Sequence, residues 1–313
     1  MSRALVFPGQ GSQTVGMGRD LAGAFTTARD VFAEIDEALH QNLSRLMFEG
    51  PESDLTLTEN AQPALMAASL AVARILEKDG SLDLKTHVAF VAGHSLGEYS
   101  ALAAAHALAL ADAARLLKRR GLAMQRAVPV GMGAMAALLG AELDVARDIA
   151  KEAGKGEICD FANDNGGGQL VLSGHKTAVE RAVAIAAERG VRRSIMLPVS
   201  APFHCALMQP AAEEMEEALA EVKLTEPWVP LIANVSAAPV RDPDEIKRLL
   251  VEQVTGLVRW RECVIAMKEQ GVTELIELGA GKVLTGLTKR IDRELAASAI
   301  GAPAEIEAFL KTL

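Results

Sequence analysis

The 313-residue chain is short of cysteine, of positive charge and of long apolar runs, and each shortage excludes a class of function. Its three cysteines, Cys159, Cys205 and Cys263, are odd in number and lack metal-ligand spacing. They point to a reduced, cytoplasmic protein in which they fill space as small apolar residues, with no disulfide frame and no metal site. Lysine and arginine number 32 against 41 acidic residues, and the net charge of −9 argues against nucleic acid as a partner. No segment reaches the roughly 18 apolar residues of a membrane span, so no membrane partner is expected. Met1-Ser2-Arg3 runs straight into a strand-like stretch, Ala4 to Phe7, which leaves no room for a signal peptide.

Nucleotide motifs are missing too. Pro8-Gly9-Gln10-Gly11-Ser12-Gln13 follows the first strand, but Thr14 stands where a dinucleotide fingerprint needs its third glycine. Gly279-Ala280-Gly281-Lys282-Val283 lacks the leading glycine and the Ser/Thr of a P-loop.

What is present is enough apolar material, 50% of residues, to bury a sizeable core. Strand-like and helical patterns alternate almost throughout, which predicts an α/β protein with a mainly parallel sheet. One block has its own order. Strands are predicted at 133–139, 158–162, 169–173 and 193–199, with helices at 143–153 and 177–190, the second opened by a Thr177–Glu180 capping box. That β-α-β-β-α-β order is ferredoxin-like. It suggests a small subdomain, 129–199, inserted into a discontinuous core formed by 1–128 and 200–313.

The most informative segment is Gly93-His94-Ser95-Leu96-Gly97-Glu98-Tyr99. The apolar run Val88 to Val91 feeds into G-x-S-x-G, and a small-residue helical pattern follows from Glu98 to Ala114. Strand, sharp turn and helix in that order make the context of a nucleophile elbow, which exposes the Ser95 hydroxyl at the strand's end. The helix beyond it aims backbone N–H groups at any oxyanion that forms there.

A serine hydroxyl needs a base, usually histidine. His40 and His87 lie in helix-end or linker contexts, His106 reads as part of an alanine-rich helix, and His175 suits a capping role. His94 adjoins Ser95 and cannot easily fold back onto it, so packing or hydrogen bonding is its expected role. That leaves His204, in a proline-bearing turn where the small block hands the chain back. No acid between Ser95 and His204 stands in a recognisable motif, and about a hundred residues follow the histidine, which counts against an ordinary α/β-hydrolase. In the helical stretch Asp112 to Arg126, Arg120 falls on the apolar stripe of Ala113, Leu116, Leu117 and Met124. A guanidinium there needs a carboxylate, either from an internal salt bridge or from a substrate held by the arginine fork.

With these residues in hand, the chain resembles the malonyl-CoA:acyl carrier protein transacylases of type II fatty-acid synthesis over essentially its whole length. The likeness rests on Phe7 to Gln13, a Gln62-Pro63-Ala64 turn, Gly93 to Tyr99, Arg120-Gly121 with Met124-Gln125, Gly133 to Ala137, Ser200 to Met208 and Gly281 to Arg290. The resemblance implies an α/β-hydrolase-like core with the ferredoxin-like insert. It implies that Ser95 carries the acyl group, that His204 is the base, and that the main-chain carbonyl of Gln253 orients it in place of an acid. Backbone N–H groups of Gln10 and Leu96 would form the oxyanion hole. Arg120 would bind the malonyl carboxylate, with Gln62, Gln10 and Phe203 at the substrate. Phe203 stands where bacterial relatives often carry serine, and the Phe-His pair is similar to malonyl-selective domains of polyketide synthases. Carrier docking is expected at a basic patch of Lys282, Lys289 and Arg290. The expected partners are malonyl-CoA and holo acyl carrier protein, with no cofactor, for a monomeric enzyme. A thioesterase on the same core and a non-catalytic carrier-docking scaffold are the competing readings.

Overall fold

The computed structural model describes residues 2–312. Its ten strands are β1 (Arg3–Phe7), β2 (Phe90–Gly93), β3 (Gly133–Leu139), β4 (Cys159–Asp164), β5 (Gln169–His175), β6 (Arg193–Met196), β7 (Leu231–Ile232), β8 (Pro239–Val240), β9 (Glu274–Leu278) and β10 (Ala296–Ile300). They form two sheets. The larger has the order β10-β9-β1-β2-β7-β8 and is parallel apart from its edge pair β7–β8. The smaller is antiparallel, in the order β4-β5-β3-β6, with helices Leu143–Gly154 and Lys176–Glu188 in its connections. Each sheet has apolar clusters of its own. Ala136, Leu138, Ile149, Leu172 and Val179 pack within the smaller unit, while Leu5, Phe7, Val91 and Ile276 belong to the main core. Val258 forms a bridge between the two units, donating to the Ala162 carbonyl and accepting from the Asp164 N–H, and Met135, Ala137 and Val171 of the smaller sheet pack in the main core.

Strands β1 and β2 are central neighbours, paired from Ala4–Phe90 to Phe7–Gly93. Both are nearly all buried, as strands covered on two faces must be, and they end on the same rung. Crevices at the carboxyl ends of parallel strands are where such sheets bind ligands. Here those ends lead into the glycine-rich loop and the G-x-S-x-G turn.

Several local expectations are corrected. Gln62-Pro63-Ala64 is not a turn but lies within helix Thr58–Lys78. Pro63 removes an interior N–H at a cost of about 3 kcal/mol. The helix nevertheless buries Leu65, Met66, Leu70, Ile75 and Leu76, each worth about 1.5–3 kcal/mol, so burial wins. The helical pattern from Glu98 to Ala114 is broken into two helices, Gly97–Ala104 and Leu110–Ala127. His106 is therefore not inside a helix. It takes a left-handed φ of 58°, with its N–H donating to the Ala103 carbonyl and the Ala107 N–H to Leu102, which is a Schellman stop. The Thr177–Glu180 capping box is absent, because the helix already starts at Lys176 and the Thr177 hydroxyl donates to Glu157 instead. His175 occupies the N-cap position without capping, since its Nδ1 accepts from the Ile158 N–H.

The three cysteines are free and buried, and burial pushes their thiols above the ordinary range. No helix among the described residues is long and apolar enough to cross a membrane.

Candidate active site

The turn after β2 holds Ser95 in a left-handed conformation, φ 53°, which is costly for a residue with a Cβ. Gly93 makes the turn possible, because a Cβ there would lie 1.9 Å from the Gly97 carbonyl carbon. The strained serine is held from both sides of its backbone. Its N–H donates to Asn234 Oδ1 at 2.8 Å, and its carbonyl accepts from Gln253 Nε2 at 2.9 Å. Asn234, fully buried just past β7, also donates through Nδ2 to the Gly93 carbonyl.

The Ser95 Oγ lies 2.8 Å from His204 Nε2, and His204 Nδ1 lies 2.8 Å from the Gln253 main-chain carbonyl. A carbonyl can only accept, so Nδ1 carries the proton and Nε2 is free to take one from the serine. Burial, followed by the positive charge of Arg120, lowers the His204 pKa to about 3, which keeps the ring neutral. This is the geometry of a nucleophile and its base, with a carbonyl in the place an acid holds in a triad.

Arg120 enters from helix Leu110–Ala127 and is 1% exposed. That helix packs tightly on Thr58–Lys78, since a Cβ on Gly121 would lie 2.5 Å from Glu59 Cα. Arg120 Nη1 donates to Gln62 Oε1 at 2.8 Å, while Nη2 donates to Gln253 Oε1 at 2.8 Å and to Ser95 Oγ at 3.1 Å. Its Nε has no partner. The internal salt bridge is not found. Among the described residues the guanidinium is met by neutral oxygens only.

Among the other residues singled out in the sequence, the amide N–H groups of Gln10 and Leu96 have no acceptor among the described residues. The Gln10 loop lies against the elbow, for a Cβ on Gly9 would lie 2.9 Å from the His94 carbonyl oxygen. His94 Nε2 is bonded to Asn165 Oδ1. Phe203 is 9% exposed and packs in the main core next to His204 in sequence.

The basic residues do not form one patch. Lys282 opens helix Val283–Ile291, whereas Lys289 and Arg290 close it, roughly 10 Å further along its axis. Lys282 pairs with Glu305 at 3.0 Å, Arg290 Nη1 donates to Gln169 Oε1 at 3.0 Å, and Lys289 is exposed. The helix flanks the site all the same. Gly281 packs against Ser12 of the glycine-rich loop and Arg290 against Gly167 of the small unit. Glu277 explains why the second glycine cluster is no anion site, because its carboxylate already accepts from the Leu284 and Thr285 N–H groups.

Sequence reasoning missed Asn234, the side-chain role of Gln253, and Glu98. Glu98 is 1% exposed, its Oε1 accepts from the Asn234 N–H at 2.6 Å, and its Oε2 accepts from Gln253 Nε2. Burial raises its pKa, against the opposing pull of those donors and of Arg120. An acidic residue in a stretch of buried small residues was the available signal.

Comparison with known proteins agrees with this geometry. Residues 4–300 match the acyl transferase domain family. The malonyl CoA-acyl carrier protein transacylase of Escherichia coli strain K12 is 45% identical over 308 residues, covering 98% of both chains. The crystal structure of an acyl-carrier-protein S-malonyltransferase from Bartonella henselae superposes with a TM-score of 0.98 at 55% identity, covering 100% of this chain and 99% of that one. A structure described as a type II PKS acyl-carrier protein in complex with its malonyl-transacylase matches with a TM-score of 0.96 at 42% identity, covering all of both chains. The chain belongs to the acyl transferase family, among the malonyl CoA-acyl carrier protein transacylases.

Proposed function

We propose that the chain moves a malonyl group from malonyl-CoA to the phosphopantetheine thiol of acyl carrier protein, through an ester on Ser95. In the first half-reaction the Ser95 Oγ attacks the thioester carbonyl and His204 Nε2 takes its proton. The oxyanion is held by the Gln10 and Leu96 N–H groups, donors of a kind worth about 3 kcal/mol each in transition-state stabilisation. Collapse breaks the C–S bond, and the CoA sulfur leaves with the proton from His204. In the second half the carrier thiol gives its proton to His204, attacks the ester carbonyl, and expels Ser95 Oγ, which is reprotonated. Every group used belongs to the chain, so the cycle calls for no cofactor.

The observation that carries this reading is Arg120: a buried guanidinium bonded to Ser95 Oγ and faced only by neutral oxygens. A cation so placed favours an acyl group that ends in a carboxylate. Phe203 is assigned to the width of the acyl pocket and the exposed end of helix Val283–Ile291 to the carrier. The separate apolar cluster of the small sheet supports 129–199 as a ferredoxin-like subdomain between the two parts of an α/β-hydrolase-like core, 1–128 and 200–313.

Intact-protein mass spectrometry after mixing with malonyl-CoA alone tests the proposal. Wild type should gain one malonyl group and Ser95→Ala none. Rapid release of free malonate without carrier would replace transfer by hydrolysis.

A further inference from the structure

Gln253 touches three parts of the site at once. Its main-chain carbonyl accepts from His204, its Nε2 donates to the Ser95 carbonyl, and its Oε1 accepts from Arg120. An amide side chain can sit either way round, so something must choose which end meets the arginine. Arg120 can only donate and the Ser95 carbonyl can only accept, and Nε2 is met further by Asn234 Oδ1 at 3.4 Å and by Glu98. Both Glu98 oxygens are already acceptors, one from the Asn234 N–H and one from Gln253 Nε2.

We infer that Glu98 is a positioning residue that fixes the orientation of the Gln253 amide and thereby keeps Arg120 available for the substrate carboxylate. The inference rests on the malonyl transfer proposed above and adds the source of its selectivity. Glu98 and Arg120 are separated by one neutral amide. In direct contact they would form a closed ion pair, and an incoming carboxylate would have to displace Glu98. With the amide between them, Arg120 is oriented and partly balanced, and its charge is still free to act on a ligand.

Glu98→Gln tests this because it is nearly the same shape but leaves one acceptor for two donors, the Asn234 N–H and Gln253 Nε2. The backbone N–H cannot turn, so the new oxygen stays with it and the new NH2 faces Gln253. That drives the Gln253 amide to turn over, which takes the acceptor from Arg120 and the donor from the Ser95 carbonyl. A second variant, Glu98→Gln with Gln253→Glu, restores a donor–acceptor match between positions 98 and 253 but places a carboxylate directly on Arg120. Loading of Ser95 from malonyl-CoA and from acetyl-CoA is followed by rapid-quench mass spectrometry, with thermal melts alongside.

The expected result is a fall of about tenfold or more in the malonyl-to-acetyl ratio of loading kcat/KM for Glu98→Gln, the scale of one misplaced hydrogen bond to a charged group. In the double variant the melting temperature should recover in part, the Ser95 carbonyl still lacking its donor, while the ratio stays low, which a merely structural role for Glu98 would not produce. A ratio within twofold of wild type in both variants, with wild type loading malonyl normally, overturns this inference alone. A ratio that recovers together with the melting temperature overturns it as well. A wild type that takes up no malonyl overturns the transfer reading and this inference with it.

Discussion

Two clusters in this molecule are built from the same three residue types and have been put to opposite ends. At the site, Arg120, Glu98 and His204 are linked through the Gln253 amide and the Ser95 hydroxyl. Near the far end of helix Thr58–Lys78, Arg74 is in direct contact with Glu77, and both reach His106, which stacks on Trp228 with ring centroids 3.9 Å apart. Burial alone would raise the Glu77 carboxyl, but hydrogen bonds from His106 and Arg74 outweigh it and hold its pKa below the ordinary value. Arg74 and Glu77 are 14% and 13% exposed against 1% each for Arg120 and Glu98, so the site is the more deeply buried cluster. The spacing differs as well. Arg74 and Glu77 satisfy each other and leave no charge for a ligand, whereas the amide between Glu98 and Arg120 leaves the guanidinium unsatisfied by any carboxylate.

The histidines should break the comparison most widely. His204→Ala is expected to slow malonyl loading by about 10²–10⁴-fold, the usual worth of a positioned base, and His106→Ala to leave it within twofold. The pH behaviour sharpens the contrast. Because the folded pKa of His204 is lowered to about 3, from 6.5, loading kcat/KM should show no inflection near pH 6.5. The same depression contributes stability that is present above pH 6.5 and lost as the pH falls toward 3. Melting curves from pH 7 down to pH 4 should therefore decline less steeply for His204→Ala than for wild type. An equal decline would mean that the ring is not held neutral by the fold.

The arginines come next. Arg120→Ala should cost malonyl loading about 2–5 kcal/mol, the scale of losing one partner of a desolvated charge pair, while acetyl loading falls far less. Arg74→Ala should do the reverse. It strips Glu77 of its cation and is expected to lower stability by about 1–3 kcal/mol, with both loading rates unchanged once the protein is folded. If Arg120→Ala reduced malonyl and acetyl loading in equal proportion, the two arginines would be structural alike.

The smallest effect is expected from the exposed helix end. Lys289→Glu with Arg290→Glu should raise the KM for the carrier protein several-fold, more at low salt, and leave the malonyl-CoA half-reaction untouched. An acidic carrier, as the resemblance implies, would need local attraction to bind a protein of net charge −9. Equal damage to both half-reactions would instead place these residues at the CoA.

How much of this was legible in the sequence depended on whether a residue's partner was near it in the chain. The elbow could be read because strand, turn and helix are contiguous there, and Arg120 because its stripe is local to one helix. Asn234 and Glu98 bond across 136 positions, and no periodicity reports that. The stop after Ala104 was hidden by composition, since the left-handed residue that ends the helix is His106 where a glycine would have announced it. Gln253 acts on His204 through a carbonyl that every residue possesses, so only the resemblance pointed to it.

The rung at Val258 has a mechanical consequence. It joins the small sheet to the chain five residues beyond Gln253, while His204 lies just past the last strand of the same sheet. The base and the carbonyl that steers it are thus tethered to one plate. Rotating that plate outward to widen the mouth would pull on the carbonyl and loosen the proton relay. On this geometry the small sheet is the jig in which the base is held.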